Sequence, residues 1–166
     1  DAGGMPRLLS NVVGDLNTDA RTMAGSTIAE VIASAPKSAG NRTIRTTDDP
    51  VSPTGAIAIL SGHLAPRGAG IKQSAVPAER KKHTGRAVVF ENVQDMDEKL
   101  DDPDLDVNAD DVLVLRNAGP KGAPGMPEAG YIPIPRKLAQ QGVKDMVRIS
   151  DARMSGTAFG TVVLHV

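Results

Sequence analysis

The chain has 166 residues, and its 19 lysines and arginines against 20 aspartates and glutamates leave a formal net charge of −1. That balance gives no electrostatic reason to expect nucleic acid or an anionic membrane as partner. Cysteine is absent and aromatic residues make up 2%, which excludes a disulfide framework, a thiolate nucleophile, a thiolate metal site within this chain and stacking platforms for single-stranded nucleic acid.

Hydrophobic residues, at 40%, predict a core of Val, Ile, Leu and Ala rather than of rings. No apolar run approaches the roughly 18 residues of a membrane span. The opening DAGGMPRLLS lacks both a signal-peptide pattern and an initiator Met, so the sequence is expected to be a segment of a longer chain.

Residues 1–33 read as mostly helical. PRLLSNVV (6–13) is a short apolar helix, and Ser26 is placed as the cap of a second, TIAEVIAS, whose Ile28, Val31 and Ile32 share a face. Residues 34–55, with Pro36, Gly40, Pro50, Pro53 and Gly55, predict an extended crossing segment with at most a short strand near Ile44. From Gly55 the pattern turns to strands: AIAIL (56–60), GAGIKQ (68–73), RAVVF (86–90), DVLVLR (111–116), DMVRIS (145–150) and GTVVLHV (160–166). Their runs VVF, VLVL and VVL suggest central positions. Two helices interrupt them: VQDMDEKL (93–100) after an Asn92 cap, and IPRKLAQQG (134–142), ending at Gly142. Six short strands with few helices predict a β-rich mixed α/β domain, a β-barrel or compact sheet with helices outside.

Charge is uneven along the chain. ERKKH (79–83) is basic, whereas residues 97–111 carry eight acids and one Lys, read as a solvated helix end and loop. Asp102, Asp104 and Asp106 imitate alternating calcium ligands, but Val107 stands where the loop needs Gly and Leu113 where it needs Glu, so calcium is rejected. His63, His83 and His165 have no mutual metal spacing and read as structural or surface residues. Lys72 and Lys121 could hold a substrate carboxylate, but both read as solvated.

Two loops could carry chemistry. RNAGPKGAPGMPE (116–128) follows the strand DVLVLR and ends in one carboxylate, Glu128. It fits neither a Walker loop nor GxGxxG. A carboxylate on a stiff loop can be a hard-cation ligand, a general base or simply a solvated side chain. SDARMSGT (150–157) sets Ser155 and Thr157 beside Gly156, where amides and hydroxyls can approach an anion or cap a local turn. As a base, Ser155 needs help, because a hydroxyl pKa lies far above that of His. No His–Asp pair adjoins it, which leaves a metal or other positive charge as the activator.

These loops carry a resemblance. GPKGAPGMPE (119–128) and SDARMSGTAFGTVVLHV (150–166) closely resemble segments of the dihydroxy-acid dehydratase/phosphogluconate dehydratase family. LNTDARTMAGST (16–27) and DDPVSPTGAIAILSGHLAPRGAGIK (48–72) extend it to nearly the whole chain. RNAGPKGAPGMPEAGYIPIP and ISDARMSGT are more similar to the sugar-acid branch, arabinonate or xylonate dehydratases, than to members with a DGRFSG form of the second loop.

The resemblance implies a hydro-lyase that converts a 2,3-dihydroxy carboxylate to a 2-keto acid. It implies an iron–sulfur cluster, [2Fe–2S] rather than [4Fe–4S], acting on the departing 3-hydroxyl, and Mg²⁺ on the carboxylate and 2-hydroxyl. Ser155 matches the serine that takes the C2 proton, Thr157 a substrate-contacting hydroxyl and Glu128 a carboxylate ligand of Mg²⁺. The implied architecture is a helical lead-in over 1–33 and, over 34–166, a swivelling β-barrel-like C-terminal domain with flanking helices. Because cluster ligation needs thiolates and this chain has none, the ligands are expected in a separate N-terminal domain. The isolated segment is expected to be inactive. The expected partners are a small hydroxy acid, that N-terminal domain and further copies in a homo-oligomer, in the cytoplasm. A stand-alone, non-catalytic ligand- or partner-binding barrel, or a serine hydrolase built on Ser155, are the alternatives from other classes.

Overall fold

The computed structural model describes residues 2–36, 42–155 and 159–166, so Thr157 lies outside the described residues. The chain divides into two compact units, Asp1–Thr54 and Gly55–Val166.

Among the described residues the first unit holds two short α-helices, α1 (Gly4–Asn11) and α2 (Ile28–Ala33), with a single 3-10 turn at Val13–Asp15. α2 starts at Thr27 rather than at the expected Ser26. The Thr27 hydroxyl accepts from the Glu30 backbone N–H, and the Glu30 carboxylate accepts from the Thr27 N–H. A capping box needs Glu or Gln three residues after the cap; Thr27 has Glu30 there, whereas Ser26 has Ala29. Ser26 instead shares a hydroxyl contact with Thr22. The short strand expected near Ile44 is not formed: residues 42–44 are bends, and no strand pairs with them among the described residues.

The second unit is a mixed α/β arrangement of six strands and two α-helices. The strands are β1 (Ala58–Leu60), β2 (Ala69–Ile71), β3 (Ala87–Phe90), β4 (Val112–Leu115), β5 (Val147–Ser150) and β6 (Val162–Leu164). They match the six apolar runs of the sequence, trimmed at their ends. One sheet contains them in the order β1-β2-β6-β5-β4-β3. β3, β4, β5 and β6 run parallel, and β2 joins β6, and β1 joins β2, antiparallel. VLVL and VVL therefore are central, but VVF lies at one end of the order, and Val89 there is 43% exposed.

α3 (Val93–Lys99) connects β3 to β4, and α4 (Arg136–Gln140) connects β4 to β5. Asn92 caps α3 by accepting from the Asp95 N–H at 2.9 Å, and α4 stops before Gly142, whose φ is +90°. Register puts Phe90, Leu113, Leu115 and Arg148 on one face, since paired residues share a face and side chains alternate along each strand. Met96 of α3, Leu100 after it and Leu138 of α4 close over that face. The core includes a ring after all: Phe90 is 1% exposed, packed with Met96 and Met146.

Part of the acidic stretch is structural rather than solvated. Asp111 is buried, and it shares Arg86 with Asp106. These contacts, Asp106 first for Arg86, raise the guanidinium pKa and hold both carboxyls below the usual carboxylate range. No helix among the described residues is long and apolar enough to cross a membrane.

Leu113, on β4, is fully buried in the core cluster, whereas Ile59 is 78% exposed. Leu113→Ala should therefore lower unfolding free energy by about 2–5 kcal/mol, and Ile59→Ala by less than about 0.5 kcal/mol, as read from chemical denaturation midpoints.

Candidate functional site

Parallel strands leave their connections at the carboxyl ends, where open α/β sheets commonly bind ligands. Both loops singled out in the sequence leave from such ends, one after β4 and the other after β5, its neighbour in the sheet. The β4 loop runs through residues 116–135 to α4, and the β5 loop through 151–161 to β6.

The two loops are tied together near their roots. The Asp151 carboxylate accepts from the Ala118 N–H at 3.0 Å. Asn117, in the left-handed region at φ +53°, donates from its side-chain amide to the Glu91 carbonyl at 2.9 Å, a conformation that Asn tolerates better than most residues. Further along, the Gly130 N–H donates to the Arg153 carbonyl at 2.9 Å. A Cβ on Gly130 would stand 2.4 Å from the Leu164 side chain and 2.7 Å from that same carbonyl. The glycine is what allows one loop to lie directly on the other.

At this crossing two of the expected site residues, Ser155 and Glu128, meet. The Ser155 hydroxyl donates to Glu128 Oε2 at 2.8 Å. Glu128 Oε1 receives Arg153 Nη1 at 2.6 Å, and Arg153 Nε donates to the Met126 carbonyl at 2.7 Å. Met126 has φ +47°, a left-handed conformation that costs a non-glycine residue about 1 kcal/mol or more. That strained turn presents its carbonyl to Arg153 and sends Glu128 toward Ser155.

The ionic groups are partly open to solvent: the Glu128 and Arg153 side chains are 44% and 42% exposed. The Glu128 carboxyl is held below the usual carboxylate range, first by the Ser155 hydroxyl and further by Arg153, against an opposing effect of partial burial. It is therefore an ionised, hard oxygen donor at neutral pH.

Arg153 is the neighbour of Glu128 that sequence reasoning missed, although it stands inside SDARMSGT. Its signal was weak, because a loop arginine has no spacing rule linking it to a glutamate 25 positions away. Thr157 is outside the described residues. Lys72 lines a cavity of about 400 Å³ together with Ile57, Ile71, Val162, Leu164 and Met154, the residue before Ser155.

His63 and His83 stand apart from this crossing, whereas His165 lines the same cavity as Met154, and its backbone N–H donates to the Ala152 carbonyl at 3.3 Å. His83 lies against the Asp110 carbonyl at 2.8 Å and beside Arg80, and His63 is exposed. No group of three or more His, Cys, Asp or Glu that could hold a metal occurs among the described residues. Glu128 fits one ligand position for a hard cation, which needs several oxygen donors. Nothing in this chain fits an iron–sulfur cluster, because it contains no cysteine.

Comparison with known proteins places these features in a wider set. Residues 42–166 match the family model described as dihydroxy-acid/6-phosphogluconate dehydratase C-terminal. The chain is 52% identical to the L-arabonate dehydratase of Azospirillum brasilense over 168 residues. It is 44% identical to the 6-deoxy-6-sulfo-D-gluconate dehydratase of Pseudomonas putida over 168 residues. It is 38% identical to the dihydroxy-acid dehydratase of Methanoregula boonei over 165 residues. Each match covers 99% of this chain but 29% of the relative, so the chain spans under a third of the length of these curated proteins.

The lowered Glu128 pKa gives a measurable consequence. Because the folded value lies below the unfolded one, the ionised, hydrogen-bonded state is fully present above the ordinary glutamate pKa of about 4.3. It is lost as pH falls through the lowered folded value. Ser155→Ala removes the largest cause, so ¹³C-carboxyl titration should show the Glu128 pKa move upward toward the ordinary value. An unchanged value would show that the hydroxyl does not hold this carboxylate.

Proposed function

The chain belongs to the dihydroxy-acid/6-phosphogluconate dehydratase family, and from that premise we propose that it forms part of the active site of a dehydratase acting on a 2,3-dihydroxy sugar acid. The observation that carries this reading is the 2.8 Å bond between the Ser155 hydroxyl and Glu128. It joins the two loops at which an acid–base residue and a cation ligand are expected. The sugar-acid choice is supported by the higher identity to the arabonate and sulfogluconate dehydratases, 52% and 44%, than to the dihydroxy-acid dehydratase of Methanoregula boonei, 38%.

In the proposed reaction the C2 proton leaves, the C3–O bond breaks with loss of water, and the resulting enol tautomerises to the 2-keto acid. Ser155 Oγ, as the alkoxide left once its own proton has passed to solvent, accepts the C2 proton, and the departing C3 hydroxide takes up a proton to leave as water. Glu128 holds the hydroxyl in place through Oε2, and its depressed pKa suits a permanent anion rather than a proton carrier. Of the roles open to it, cation ligand is the one its electrostatics favour. Arg153 orients the carboxylate through Oε1, which leaves the remaining lone pairs of both oxygens for a cation.

When bound, Mg²⁺ would supply the positive field that stabilises developing enolate charge and makes a serine oxygen basic enough to act. Glu128 would contribute one of its ligands, and no group of three or more His, Cys, Asp or Glu stands ready to hold it among the described residues. Thr157 is proposed as a substrate-contacting hydroxyl. The iron–sulfur cluster would be held elsewhere in the protein. A homo-oligomer and a cytoplasmic location belong to the same proposal.

The test is formation of 2-keto acid from arabinonate, xylonate and dihydroxyisovalerate. The full-length protein should dehydrate a sugar acid, and residues 1–166 alone, supplied with iron, sulfide and Mg²⁺, should not. Ser155→Ala in the full-length protein should lower kcat by about 10²–10⁴-fold, the usual contribution of a positioned base, with the cluster absorbance unchanged. An active Ser155→Ala enzyme would remove the serine from this role, and turnover by the segment alone would overturn the division of the site.

A further inference from the structure

Arg148 is the largest of the fully buried side chains, 1% exposed in the middle of the sheet. An ionised guanidinium is costly to bury unless every donor is matched. Here Nη2 donates to Asp145 Oδ1 at 3.0 Å and to the Phe159 carbonyl at 2.9 Å. Nη1 donates to the Ile132 carbonyl at 3.1 Å, and Nε to the Met146 carbonyl at 3.3 Å. The Tyr131 ring covers the guanidinium, its centroid 5.2 Å away.

The two loop carbonyls occupy matched positions. Ile132 follows Glu128 by four residues, and Phe159 follows Ser155 by four. One planar group thus grips the continuation of each site loop. Asp145 completes the grip, because its carboxylate accepts the Thr161 N–H at 2.9 Å and 3.1 Å and the Thr161 hydroxyl at 2.7 Å. Gly160, at φ +94°, lies against this pair so closely that a Cβ would stand 2.1 Å from Asp145 Oδ1 and 2.6 Å from Arg148 Nη2.

We propose that Arg148 is a positioning residue for the reaction: its guanidinium, fixed by Asp145, sets the separation of the Glu128 and Ser155 loops by clamping the carbonyls of Ile132 and Phe159. Lysine cannot take its place, since an ammonium on a flexible stem lacks the planar fork that reaches both carbonyls and the carboxylate together. The clamp is read from geometry alone, and only its kinetic consequence rests on the dehydratase reading.

Hydrogen exchange by mass spectrometry on the full-length protein tests the clamp without any substrate. In Arg148→Lys, amides of residues 126–134 and 153–162 should exchange at least about tenfold faster, while those of β3 and β4 keep their rates. Thr161→Val, which removes only one hydroxyl bond to Asp145, should accelerate the same two segments to a smaller degree, and it decides the matter if Arg148→Lys does not fold. Acceleration of one loop only, a uniform change across the sheet, or no change would overturn the clamp.

In the dehydration assay Arg148→Lys should lower kcat, taken per mole of folded enzyme so that loss of folded protein is not counted, at least about tenfold with KM within about threefold. Equal loss in both, or in neither, would overturn the positioning role. A wild-type protein that dehydrates none of the sugar acids would instead overturn the proposed function, and the exchange result would still decide the clamp.

Discussion

The arrangement of the second unit depends on a charge that cannot be left unsatisfied. Arg148 lies on the core face of β5, paired in register with Leu113 on one side and Val162 on the other. An aliphatic residue there would extend the layer formed by Phe90, Leu113 and Leu115. A guanidinium instead demands acceptors for its donors, and they come from Asp145, from the Met146 carbonyl and from the Ile132 and Phe159 carbonyls of two irregular segments. Buried ion pairs stabilise little compared with a well-packed apolar replacement, yet breaking one is severely destabilising. Their physical effect is therefore selective: they leave folded only those backbone arrangements in which all partners are present.

That selectivity matters because the β5–β6 connection has no helix among its described residues. Adjacent parallel strands require a crossover of about a dozen residues, which in most proteins is helical and holds its own shape. β3 to β4 and β4 to β5 follow that pattern through α3 and α4. Among the described residues of 151–161 no element forms, so the loop takes its geometry from contacts: Asp151 with Ala118, Gly130 with Arg153, and Phe159 and Thr161 with the Arg148–Asp145 pair. A loop ordered by outside contacts can present a serine where a helical crossover would present a regular surface.

The sequence made the periodic parts legible. β-branched runs bounded by Gly, Pro and Asp located all six strands, and Asn92 and Gly142 marked helix ends, because these signals act within a few residues. Choices between neighbouring caps were harder: Thr27 prevailed over Ser26 through the reach of Glu30. Strand order was not legible, as VVF has the same local character as VLVL but lies at the end of the sheet. Ser155 and Glu128 could be singled out through motif resemblance. Their meeting could not, because it depends on Gly130 admitting a backbone contact and on Arg153 bridging to a residue 25 positions earlier. Arg148 was invisible for the same reason: inside MVRIS it reads as the outward residue of a half-exposed strand, and only its buried partners reveal otherwise.

Exposure finally separates what the two ionic groups can do. Arg148 and Asp145 are almost wholly buried, so their interaction is barely screened and can hold backbone in place. Glu128 and Arg153 are more than 40% exposed, where an ion pair contributes about 0–1 kcal/mol and its members can be recruited by another charge. A site that must bind a cation and an anionic substrate needs this second kind of pair at its surface, since a fully buried carboxylate would already be committed to its arginine. The proposed division of labour follows: the buried pair fixes the loops, and the exposed pair stays available. Electrostatic catalysis is strong only where water is excluded. In the proposed enzyme the substrate and the remainder of the protein would therefore have to cover Glu128 and Ser155 before the serine oxygen could act as a base.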